Sequence, residues 1–110
     1  YKGVLFSFDP DTGVYATLHE FNGADGASPA GGLVLGLNGT FYGLTTSGGK
    51  GYGVLYAYHP VQRRFTKLMD FDSTNGAKPF AALTVARNGM LYGTTTEGGA
   101  YNGGVVFGYN

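Results

Sequence analysis

The side chains that could do chemistry in this chain are few and thinly spread. Seven Asp and Glu, two His and no Cys occur among 110 residues. The tightest grouping is a matched pair of loops, Asn22-Gly23-Ala24-Asp25 and Asp72-Ser73-Thr74-Asn75, with oxygen-bearing side chains at an i, i+3 spacing. Calcium takes clustered carboxylate and carbonyl oxygens. Neither loop is followed by a bidentate glutamate, however, and Asp and Asn exchange places between the copies. The spacing therefore predicts Asx-turns that satisfy their own backbone, and no metal site is assigned. His19 and His59 each lack a second His or carboxylate at ligand spacing, which predicts packed or solvated rings. Glu20 and Asp70 occupy equivalent edge positions one repeat apart, where solvation explains both.

The carboxylates form no local acid–base pair. Gly-x-Ser-x-Gly is absent, and Ser47-Gly48-Gly49-Lys50-Gly51 opens no helix that could hold a phosphate. No catalytic residue and no cofactor is assigned, so a non-enzymatic role is expected. Contact with a glycan or protein ligand would fall to inter-strand loops. Asp25, Tyr52, Asn75 and Tyr101 are the candidate ligand-binding residues, because an exposed tyrosine stacks well on a partner. Tyr42, Tyr56, Tyr58 and Tyr92 lie inside predicted strands and are expected in the core. Asn38-Gly39-Thr40 is an N-glycosylation sequon, although a turn role already accounts for Asn38.

Formal charge balances at zero, which leaves no electrostatic footprint for nucleic acid or an anionic membrane. Arg63, Arg64 and Lys67 make one small basic cluster at a predicted turn, where solvation suffices. Without cysteine, disulfide frameworks and thiolate zinc sites are excluded. No apolar run approaches the roughly 20 residues of a membrane span. A chain opening at Tyr1 without Met fits a mature or excised product.

These residues sit on a repeat. Gly3–Tyr52 and Gly53–Asn102 align without a gap at a period of 50, and a third copy opens at Gly104 after one inserted residue. The chain is thus a single repeat array, 1–110, with repeat one at 3–52, repeat two at 53–103 and a partial third at 104–110. Each repeat reads as four short strands. Residues 53–59 are continuously apolar, as for a strand covered on both faces, and Pro60 ends it. Residues 65–71 mix Lys67 and Asp70 with apolar positions, which suits an edge strand. Strands are also expected at 81–86 and 90–96, the latter repeating 40–46. Asn38-Gly39 and Asn88-Gly89 predict type I′ turns with two positive-φ residues. No helical stripe occurs, and residues 25–29 and 75–79 read as turn-rich crossings. The fold class expected is all-β, with β-propeller-type repeats of four-stranded antiparallel blades and about two blades per chain.

Tyr42-Gly43-Leu44-Thr45-Thr46-Ser47-Gly48-Gly49, then Gly53-Val54-Leu55-Tyr56, Pro60, Phe65-Thr66-Lys67-Leu68 and Phe71, resemble the GloVer-type choice-of-anchor tandem repeat of bacterial surface and secreted proteins. More distantly they are similar to the kelch repeat, which favours tryptophan where Tyr15 and Phe65 stand here. The resemblance implies a propeller-like array, secreted or at the cell surface, with no catalytic residues to carry over. Kelch strand order would group 31–37, 40–46, 53–59 and 64–71 in one blade. Residues 3–21 would then give the outer pair of a preceding blade, and 81–109 the inner three strands of the next. Two blades cannot close a ring. The expected partners are therefore further copies of this chain, as a homo-oligomer or filament, or further blades of a longer parent chain.

Overall fold

The computed structural model describes residues 2–110; Tyr1 lies outside them. The described residues form nine strands and no helix: β1 (Val4–Phe8), β2 (Tyr15–Glu20), β3 (Ala27–Leu35), β4 (Phe41–Ser47), β5 (Val54–His59), β6 (Arg64–Asp70), β7 (Thr84–Val85), β8 (Leu91–Thr95) and β9 (Val105–Tyr109). Hydrogen bonding groups them in chain order as a two-stranded sheet β1-β2, a four-stranded sheet β3-β4-β5-β6 and a three-stranded sheet β7-β8-β9. Every pairing is antiparallel, and no sheet closes on itself. The fold is all-β, built from several antiparallel sheets.

Alternation along β5 explains why its apolar run is unbroken. Successive strand side chains point to opposite faces. Val54, Tyr56 and Tyr58 pack with Leu5, Leu18 and Phe21 of the two-stranded side. Leu55 turns the other way and joins Leu44, Phe71, Leu83 and Leu91 in a second core beside the three-stranded sheet. The four-stranded sheet is thus filled on both faces, and five of six β5 residues are buried. The outer strands β2 and β6 each pair with a single neighbour, as their mixed sequences predict.

Two local expectations are corrected. At Asn38-Gly39 only Gly39 takes a positive φ, +82°, so the turn is not type I′. The Gly36 amide donates to the Thr40 carbonyl at 2.8 Å, and the Gly39 amide donates to the Gly36 carbonyl at 3.2 Å. Leu37-Asn38-Gly39 is a three-residue hairpin loop with a left-handed last residue. The Asn38 side-chain oxygen Oδ1 accepts from the Thr40 amide at 3.1 Å, and Asn38 keeps an ordinary negative φ. Residues 86–90 repeat this arrangement.

The innermost strand also starts earlier than residue 31. Ala27 and Pro29 pair with Ser47 and Thr45, and the register then shifts between Ala30 and Val34. Gly31, at φ +69°, sits where a Cβ would lie 2.8 Å from the Ala82 backbone nitrogen. The kink brings the inner strands of adjacent sheets together. In the second copy the matching strand shrinks to Thr84–Val85, with Ala77–Glu97 surviving as an isolated bridge.

Candidate functional site

The repeated Tyr-Gly-x-Thr-Thr-x-Gly-Gly segment is the most elaborate site, and its chemistry is that of a latch. Thr45 is fully buried at the end of β4. Its hydroxyl donates to the Ser47 carbonyl at 2.9 Å and accepts from the Val54 amide at 3.1 Å. Thr95 repeats both bonds, to the Glu97 carbonyl at 2.9 Å and from the Val105 amide at 3.1 Å. The neighbouring threonine reaches the opposite strand: Thr46 donates to the Ser28 carbonyl and Thr96 to the Lys78 carbonyl, each at 2.7 Å. One Thr-Thr pair therefore ties a strand to the next strand and to the previous one.

The glycines finish the latch. Gly48 lies so close to the Gly23 carbonyl and the Ala27 amide that a Cβ would stand 2.6 Å from either. The Gly49 amide donates to the Gly23 carbonyl at 2.7 Å, as Gly99 does to the Ser73 carbonyl at 2.8 Å. Gly43 faces Tyr56 across the β4–β5 pair, and a Cβ there would lie 2.5 Å from the Tyr56 hydroxyl oxygen. Gly93 and Phe107 stand in the same relation. Glycine precedes these threonines because an aromatic ring covers its backbone. Burial pushes the Tyr56 hydroxyl up to about 12.

Antiparallel order carries the loops at 21–26, 48–53 and 71–76 to one end of the sheets, since Ala27, Ser47, Val54 and Asp70 all lie there. Three of the predicted contact residues sit on these loops, and Tyr101 sits on the matching loop after β8. Asp25 is committed within its own loop. One carboxylate oxygen accepts from the Asn22 amide at 2.9 Å, and the other lies 2.7 Å from His19 Nε2. Asn22 returns a bond from the Asp25 amide at 3.1 Å. In the second copy Asp72 and Asn75 make the same reciprocal pair, at 2.8 and 3.0 Å. The exchange of Asp and Asn is neutral because each needs only an acceptor oxygen. The Thr74 hydroxyl first, then the Asn75 amide, hold the Asp72 carboxyl below its ordinary value.

Asn75 and Tyr52 are exposed, and the Tyr52 carbonyl accepts from the Lys78 amide at 2.9 Å. Tyr101 is 98% exposed. Asn38 is exposed as well, its amide donating to the Tyr42 hydroxyl at 3.1 Å. Tyr56 and Tyr58 are buried as expected, while Tyr92 is exposed on the outer face of the third sheet.

His19 is not solitary. Besides Asp25, it stacks face to face on Phe65 at 3.6 Å and meets Phe21 edge-on at 5.1 Å. Sequence spacing missed this cluster because Phe65 arrives from the next sheet. No group of three His, Cys, Asp or Glu suited to a metal occurs among the described residues.

At the opposite end of the sheets, between the two- and four-stranded sheets, lies a cleft of about 530 Å³. Phe6, Leu33, Phe41 and Tyr58 give it apolar walls, and Ser7, Thr17 and Arg63 give it polar ones.

Antiparallel sheets, two of which are stitched internally by the same latch, define an all-β tandem-repeat protein. The chain belongs to the Gloeobacter/Verrucomicrobia repeat family, whose pattern matches residues 1–110. No curated protein and no solved structure matches it.

Proposed function

We propose that the chain is a non-enzymatic structural module whose sheets act as β-propeller-type blades. It works by assembly, through strand pairing and face-to-face sheet burial, in a secreted or cell-surface setting. One observation carries this reading. Phe6 and Phe8 are 54% and 55% exposed, whereas Tyr56 and Tyr58, at the same repeat positions, are each 4% exposed. The repeat is built to be covered on this face, and the first sheet lacks a cover. Phe6 already stacks on Tyr15 at 5.6 Å, as Tyr56 stacks on Phe65 at 5.3 Å beneath Phe21. Extracellular placement rests on the family likeness. Molar mass by light scattering tests the module: multiples of the 11.5 kDa chain are expected, and a monodisperse monomer overturns it.

A second reading, a lectin-like module that holds a glycan or protein by its loops, is favoured by the exposure of Tyr101. A glycan array compared with Tyr101→Ala tests it. Specific binding that the substitution abolishes is the supporting result.

A further inference from the structure

We propose that the cleft beside β1 is the seat of the β7–β8 hairpin from a second copy of this chain, with β1 taking the place of that copy's β9. The inference rests on the assembly reading above and specifies which strands meet.

Internal repetition identifies the missing occupant. Leu33 and Leu83 hold the same repeat position, as do Phe41 and Leu91. Leu83 and Leu91 are each 3% exposed, because Val34, Tyr42 and Leu44 of β3 and β4 pack in the same core. Leu33 is 40% exposed and lines the cleft with Phe41. What Leu33 and Phe41 lack is the pair of inner strands that would complete the two-stranded sheet. The cleft is continuous with an interface already built, since Leu18, Phe41 and Tyr58 belong both to its lining and to the first core.

The free edge of β1 specifies the same partner. A strand equivalent to β1 pairs on its inner side with a β4-type strand, as β5 does with β4 and β9 does with β8. Gly3-Val4-Leu5-Phe6-Ser7-Phe8 and Gly104-Val105-Val106-Phe107-Gly108-Tyr109 are versions of one strand, so both fit the edge of β8. β1 brings Leu5, which is buried against the four-stranded sheet, whereas Val106 at the same position of β9 is exposed. Thr84 and Thr94 replace Val34 and Leu44 on the hairpin face that would enter the cleft, and both are exposed here. That face tolerates water in a lone chain and suits a cleft partly lined by Ser7, Thr17 and Arg63.

Each chain then supplies one complete four-stranded sheet and two halves, so a ring of n copies holds 2n sheets. Propellers of about 4 to 8 blades correspond to about 2 to 4 copies.

The register supplies the test. Tyr92 pairs with Gly108, and Gly108 is the counterpart of Ser7. Opposed strand positions bring Cβ atoms close enough for a disulfide, and the natural chain has no cysteine to compete. A Ser7→Cys chain is mixed with a differently tagged Tyr92→Cys chain and oxidised, while light scattering follows molar mass. A covalent heterodimer is the expected product, lost when Thr94→Cys replaces Tyr92→Cys. Val105→Pro removes the amide that donates from β9 to the Thr95 hydroxyl at 3.1 Å, at a position outside both core clusters, and should raise the heterodimer yield. Oligomers without the heterodimer overturn the exchange and leave the assembly reading standing. A lower yield with Val105→Pro, or a bond within one doubly substituted chain, also overturns the exchange. Monomers throughout overturn both.

Discussion

Thr45 shows how a residue that looks catalytic, a buried hydroxyl in a glycine-rich motif, serves architecture instead. Its oxygen has both a donor and an acceptor duty, so it is spent. Thr45→Val keeps the shape and takes the hydroxyl acceptor away from the buried Val54 amide. The expected loss is roughly 1–3 kcal/mol in denaturant unfolding, with Thr95→Val acting likewise in the second copy. Tyr56 gives a pH signature. Its pKa rises from 10.0 to about 12 on folding, through burial. A raised folded-state value contributes stability that is whole below pH 10 and lost as pH climbs toward about 12. Tyr56→Phe should flatten that alkaline decline in unfolding free energy measured from neutral to pH 12. Asp72 has the opposite sign: its contribution holds above 3.8 and fades as pH falls below it. Thr74→Val removes the largest cause, and carboxyl titration by NMR should show the Asp72 pKa returning toward 3.8.

Among strands, the sequence announced type and order better than ends. β5 was legible because five residues in a row, Val54 to Tyr58, are apolar or aromatic, and a sheet filled on both faces leaves no reason to alternate. β3 was misplaced because Ala27-Ser28-Pro29 has turn composition, yet the Thr46 bond to the Ser28 carbonyl holds it against β4. Asn38-Gly39 announced a hairpin correctly and its geometry wrongly, since a third loop residue lets Asn38 keep an ordinary φ. The β4–β5 pair can be broken at one atom. Gly43→Ala puts a methyl into the Tyr56 ring and should cost about 1–3 kcal/mol, measured by thermal unfolding. Since backbone φ at Gly43 is not positive, that loss is steric, and Gly43→Ala combined with Tyr56→Leu should regain part of it.

For the whole chain, stability and association draw on the same apolar faces. The outer face of the first sheet exposes Phe6, Phe8 and Tyr15, and covering a half-exposed aromatic gives back about 1 kcal/mol. Phe6→Ser with Phe8→Ser should lower association by sedimentation analysis while the unfolding midpoint of the isolated chain stays close to its starting value. Thr94→Leu should act in reverse and tighten association, because its counterpart Leu44 is buried between sheets.

The amino-acid sequence alone settled the repeat, its period, the all-β class and the family. All of these follow from local pattern: turn residues at fixed offsets and apolar runs of strand length. Pairings across sheets were beyond it. The His19–Phe65 stack, the Thr46–Ser28 bond and the cleft walled by Phe6, Leu33 and Tyr58 join residues from different strands or different sheets. Only tertiary packing decided which copy of each repeated position is buried and which is left open. Copies with similar side chains differ in exposure because burial depends on the neighbouring sheet, and the terminal sheets here have a neighbour on one face only.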